Sequence, residues 1–131
     1  MPPIRDLDTL LATMRPERNP GTWAWCTLPA GTVLDGVEVA ATMREAEGLS
    51  VVVAEADARS RGWPIAFLSA WLTLRVHSDL AAVGLTAAFA RALADAGIAC
   101  NVIAGAHHDH VFVPDDRADD ALAALRALSA S

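Results

Sequence analysis

An α+β fold, with antiparallel sheets that carry helices on one face, is what the sequence predicts. Short β-rich runs bounded by turn formers supply the strands, and amphipathic stretches at helical spacing supply the helices. The order of these elements in the second half of the chain echoes their order in the first. At 131 residues there is room for one ordinary domain or for two very small ones fused around a common core.

The elements follow in order. Leu7, Leu10, Leu11 and Met14 share one helical face, so Asp6 to Met14 is predicted as a short helix, ended by Pro16 and by "NPG" at Asn19 to Gly21. Aromatic and β-preferring residues make "TWAWCTL", Thr22 to Leu28, a strand, and "PAGTVLDG" after it a loop. "VEVAATMRE", ending near Glu45, and "LSVVVAE", Leu49 to Glu55, are strand candidates joined through "AEG" as a hairpin. A short helix covers Ala56 to Arg61. From Trp71, Leu72, Leu74 and Val76 alternate with Thr73, Arg75 and His77, the period of a strand with one buried face. Leu80 to Ala96 reads as a helix with Leu85, Ala88, Phe89, Ala92 and Leu93 as its apolar stripe and Gly97 as its C-terminal cap. Ile98 to Ala104 is a strand, Gly105 to His107 a turn, and His108 to Val113 the returning strand. Pro114 and Asp115 open a last helix through Leu128, with Leu122, Leu125 and Leu128 inward.

Each half thus approximates the βαββαβ order of a ferredoxin-like unit, and each lacks a terminal strand. The predicted division is residues 1–64 and 65–131, with the apolar segment from Ile65 to His77 ending one sheet and starting the next.

Composition narrows the function. The net charge of −6 and the ten scattered basic residues exclude a phosphate-tracking patch, so no nucleic-acid partner is expected. The uncharged run Gly62 to Leu74 falls short of the roughly 20 apolar residues of a membrane span, and the N-terminus has no signal pattern. Cys26 and Cys100 lie apart in predicted strands, as reduced thiols of a cytoplasmic protein do.

Three places can carry chemistry. At the strand-to-helix corner His77, Ser78, Asp79, followed by Val83, Gly84 and Leu85, a helix N-terminus suits a carboxylate, and glycine at Gly84 lets a ligand approach the backbone. The alternative is that Ser78 or Asp79 simply caps that helix. On the adjacent strands, Asn101 and Ile103 share one side of theirs, while Asp109 points away from His108 and His110 and suits a ligand ammonium, or else bonds its own turn. The third place is "GAHHDHVFV", which holds three of the four histidines. His108 and His110 lie on one side of a strand and, with His77, form the only candidate metal set, but no Glu or Cys completes it at ligand-like spacing. Adjacent residues of "HSD" point in alternating directions and form no triad. Glu45 and Arg44 read as a solvated hairpin end, and Trp23, Trp25, Trp63 and Trp71 as core or interface residues.

The segment "LTLRVHSDLAAVGLTAAFARALADAGIACNVIAGAHHDHVFVP", with "REAEGLSVVV" upstream, resembles the small bacterial proteins that carry two ACT-like halves in one chain. The likeness spans nearly the whole length and is densest over Val76 to Ala88 and Asn101 to Pro114. It departs at Ala106 and His107, where relatives typically have aromatic residues. ACT domains as a class bind amino acids or similar metabolites between two copies, and many regulate an attached enzyme. The resemblance implies that the corner is the ligand loop, with Ser78, Val83, Gly84 and Leu85 as candidates, and that Asp109 lies near the ligand. The sequence reading is therefore a non-catalytic regulatory module with a small-molecule ligand, no cofactor or metal, and homodimeric assembly in the cytoplasm. The alternatives are a metal-dependent enzyme using His77, His108 and His110, and a purely structural interaction module.

Overall fold

The computed structural model describes residues 6–76 and 83–130. Helix α1 spans Leu7–Thr13, and strands β1 and β2 span Arg15–Arg18 and Trp23–Leu28. Strands β3 and β4, Val39–Glu45 and Gly48–Ala54, form the predicted hairpin, and α2 covers Glu55–Ser60. After β5, Phe67–Arg75, come α3, Leu85–Asp95, then β6, Asn101–Ala104, and β7, Asp109–Pro114. A 3₁₀ turn at Asp115–Arg117 leads into α4, Ala118–Ala130.

The seven strands form a single antiparallel sheet in the order β3-β4-β2-β5-β7-β6, with β1 paired to β5. β1 and β2 lie end to end along the same edge of β5. Arg15 to Arg18 face Arg75 to Leu72, and Trp23 to Trp25 face Ser69 to Phe67. On its other edge β5 holds β7, from Ser69 opposite Pro114 to Leu74 opposite Asp109. β5 is therefore the last strand of the first half and the first strand of the second. Asn19 bridges β1 and β2 by donating its backbone N–H to the Trp71 carbonyl at 2.9 Å and its side-chain amide to Thr73 Oγ1 at 2.8 Å.

β1 is the strand that sequence reasoning missed. Arg15, Glu17 and Arg18 are exposed, and Pro16 cannot donate to a ladder. It is tolerated because β1 pairs only with β5, leaving its other edge without a ladder to interrupt.

Strand alternation separates two faces. Toward the helices, Leu10 and Met14 of α1 join Leu72, Leu74, Phe89, Leu93, Val111, Val113 and Leu125 in one core. A second helix-side core gathers Ala24, Cys26, Val51, Val53 and Ala58, with Leu34 and Val37 packed against it from the β2–β3 connection. That connection stands where a helix lies in the second half. On the opposite face Trp23, Val52 and Phe112 are buried against Trp25, Trp71 and Ile103.

Helix ends follow their local chemistry. Asp6 caps α1, its carboxylate accepting from the Thr9 backbone N–H at 3.0 Å and from the Thr9 hydroxyl at 2.7 Å. Those bonds hold the Asp6 carboxyl below its usual pKa. α3 closes as expected: Gly97 is left-handed at φ 72°, and the amides of Gly97 and Ile98 return to the Ala94 and Leu93 carbonyls at 2.9 Å. Its start differs from the predicted Leu80. Val83 and Gly84 are not helical, Gly84 has φ 101°, and the first helical residue is Leu85. A left-handed residue cannot continue a right-handed helix, so the periodicity of the apolar residues overran the backbone boundary.

Candidate functional site

The predicted site residues separate onto two surfaces. His77, Ser78 and Asp79 lie outside the described residues. Val83 is 83% exposed, whereas Leu85 is buried in the helix-side core. Gly84 lies beneath α1, and a Cβ placed on it would come within 3.1 Å of Leu7 Cδ2. Of the described residues at this corner, Val83 is thus the one that stands out to solvent. The N-cap position of α3 is Gly84, which has no side chain to offer the first amides of that helix.

Asp109 is the first residue of β7. It opposes Leu74 in β5 and Ala104 in β6. Its neighbour two residues on, Val111, is in the helix-side core, which sets Asp109 on the same face. Its carboxylate makes no hydrogen bond or ion pair among the described residues. Burial pushes its pKa up, with the nearby His110 and His108 pulling the other way.

Asn101 and Ile103 look out from the other face. They oppose Phe112 and His110 in the register, and Ile103 packs into the open-face aromatic cluster. With Trp25, Ala41, Met43, Glu45, Ser50 and Val52 they line a groove of ≈ 380 Å³. Residues of β3 and β6, the two outermost strands, line the same groove, so the sheet curls around it. The sheet therefore divides the predicted binding residues, with Asp109 on one side and Asn101 and Ile103 on the other.

The histidines are engaged within the fold. His110 Nδ1 accepts from Trp71 Nε1 at 3.0 Å and lies 3.3 Å from Thr73 Oγ1. An indole nitrogen can only donate, so Nδ1 is unprotonated and the ring proton sits on Nε2. Burial, the first cause, then lowers the His110 pKa, reinforced by His108 and Arg75 and opposed by Asp109. Neither nitrogen in that tautomer is a ready metal ligand: one is bonded to Trp71 and the other is protonated. His108 Nδ1 sits 3.1 Å from the Val76 carbonyl, to which it donates, and so ties the hairpin to the end of β5. His107 is exposed, its ring 6.5 Å from that of His108. Among the described residues no three His, Cys, Asp or Glu side chains gather to hold a metal.

Four tryptophans had been expected in core or interface positions, and three form the floor of the open face. Trp23 and Trp71 meet edge to face at 4.9 Å, as do Trp25 and Phe112 at 5.4 Å. Ser69, fully buried, accepts from Trp25 Nε1 at 3.0 Å and donates to the Trp23 carbonyl at 3.1 Å. The groove's polar residues, Glu45 and Ser50, were missed because they lie far from Asn101 in sequence and only the curl of the sheet brings them together.

A sheet with helices on one face, its two halves sharing a strand, is a tandem ferredoxin-like architecture. Family models described as ACT domain match residues 2–70 and residues 68–127, overlapping within β5. The chain belongs to the ACT-domain family. ACT domains are regulatory, non-catalytic modules that typically bind small molecules and often pair. A Vibrio cholerae protein of unknown function, described as a possible transport protein, is 44% identical over 94% of this chain and 95% of its own, with TM-score 0.84. An Agrobacterium tumefaciens protein matches at 17% identity and TM-score 0.66 over 88% of this chain and 89% of that one. The ligand-free regulatory subunit of aspartate kinase from Thermus thermophilus matches at 12% identity and TM-score 0.68 over 90% of this chain and 97% of that one. These last two likenesses show the fold alone. Comparison with functionally curated proteins gives no match. Among the described residues no helix is long and apolar enough to cross a membrane.

Proposed function

We propose that the protein is a non-catalytic sensor that binds an amino acid or similar small metabolite at the corner between β5 and α3. The observation that carries this reading is the half-buried Asp109 carboxylate, which has no partner among the described residues. A carboxylate removed from water without a counter-charge is costly, and an ammonium group repays that cost. The first amides of α3, which follow Gly84, offer donors and partial positive charge to the ligand's carboxylate. Asp109 and α3 thus present opposite charges to the two ends of an amino-acid backbone. Ser78 and Asp79 belong to this proposed site by their place in the chain.

The protein works as a homodimer in the cytoplasm, with its halves divided at residues 64 and 65, and α1 and β1 crossing from the first half into the packing of the second. The similarity in fold to an aspartate kinase regulatory subunit supports the regulatory part of this reading.

A thermal-shift screen against the common amino acids tests it. A ligand present at about 100 times its Kd stabilises by about 2.7 kcal/mol, and Asp109→Asn is expected to abolish that gain. No stabilisation by any amino acid at millimolar concentration, or full stabilisation retained in Asp109→Asn, refutes the proposal.

A further inference from the structure

The open-face groove forms a second surface, separated by the sheet from Asp109. Its floor is apolar: Trp25, Val52 and Ile103 are partly or fully buried. Met43, 65% exposed, stands at its rim on an unbranched, adaptable side chain. Polar groups stand on opposite sides, Glu45 and Ser50 on the β3–β4 hairpin and Asn101 on β6. The Glu45 carboxylate accepts a hydrogen bond from the Ser50 hydroxyl, which fixes its position at the groove. Among the described residues that line the groove, Glu45 is the one that carries a charge.

We propose that this groove is a binding site for a small organic amine with a flat apolar body. The ammonium pairs with Glu45, the body lies on Trp25, Val52 and Ile103, and Asn101 meets a polar group at the far end. Three features agree on this class. The volume matches a small molecule, not a protein segment. The single charge selects a cation over an anion. Trp25, set edge to face on Phe112, gives the floor a flat aromatic surface for the body. The site does not depend on the Asp109 reading and stands if that reading falls.

The test uses the intact protein and 2-phenylethylamine as probe, with 3-phenylpropionate as a control of similar shape and opposite charge. Binding is read from the Trp25 indole N–H resonance in two-dimensional NMR. The amine is expected to shift that resonance saturably with a Kd of about 1 mM, and the acid is expected to have no effect. Glu45→Gln, a change at an exposed position, weakens amine binding about tenfold. Ile103→Trp, which fills the groove, abolishes it, while Asp109→Asn leaves it unchanged. Equal binding of amine and acid, no saturable shift, or unchanged binding in Ile103→Trp overturns the proposal. Loss of amine binding in Asp109→Asn also overturns it, because the amine would then sit at the corner. Self-association that Ile103→Trp disrupts, with no amine binding, shows that a second copy of the chain occupies the face and likewise overturns it.

Discussion

Leu10→Ala is predicted to damage the half of the molecule to which Leu10 does not belong in sequence. Leu10 has no exposed surface and packs with Met14, Leu74, Phe89 and Leu125. Removing a fully buried leucine side chain costs about 2–5 kcal/mol, the lost transfer energy plus the cavity left behind. The upper part of that range is expected, because Leu10 is the buried residue of the short α1 helix, whose Leu7 and Leu11 are only partly buried against the same core. Chemical denaturation of the wild type, Leu10→Ala, Leu125→Ala and Val53→Ala, with both double variants that contain Leu10→Ala, checks the prediction. Leu10 and Leu125 share a core, so their double variant is expected to depart from additivity by at least about 0.5 kcal/mol. Val53 lies in the other helix-side core, and its double variant with Leu10 is expected to be additive. A cost below about 1 kcal/mol for Leu10→Ala, or coupling to Val53 in place of Leu125, refutes the crossed packing.

Three further outcomes are expected. Because the Asp109 pKa is raised on folding, the unfolded chain releases that proton first as pH rises, and the folded state loses stability from near pH 4 upward. Asp109→Asn should therefore be more stable than the wild type at pH 7, with the difference vanishing in urea titrations below about pH 4. The His110 pKa is lowered on folding, so its contribution is complete above about pH 6.5 and is lost as pH falls below that value. His110→Gln should flatten that part of the stability profile, and the Trp71 indole N–H resonance should move over the same range in the wild type. Gly48→Ala should cost well over 1 kcal/mol by thermal denaturation. Gly48 has φ 142°, and an added Cβ would lie 2.4 Å from the Leu28 carbonyl oxygen, which is backbone and cannot yield. Gly84→Ala should cost less, since the nearest atom there is the flexible end of Leu7.

Local signals in the sequence were strong where one element's chemistry decides its fate. Asp6 opening α1, Gly97 closing α3, and the β-rich run Trp23–Leu28 all read correctly because caps and turns act over a few residues. β1 was invisible for the same reason in reverse: Pro16 and three charges argue against a strand locally, and its pairing with β5 is settled by residues nearly 60 positions away. The resemblance to ACT-like proteins, carried by Val76 to Ala88 and Asn101 to Pro114, agrees with the family matches. Within the site, alternation set Asp109 on the face opposite His110, whereas His108 lies just before β7 and outside that alternation. Alternation did not show that the sheet would stand between Asp109 and Asn101, because that needs the register of β6 against β7. Glu45, read as a solvated hairpin end, gains a possible role only through the curvature that brings β3 toward β6.

The sharing of β5 also fixes how this molecule can move. Swinging one half against the other about a linker would break the ladder between Trp23–Trp25 and Phe67–Ser69, which is continuous with the pairing of β5 to β7. Seven joined strands form one continuous twisted sheet, so the two halves share a single frame and β5 is the strand that both own.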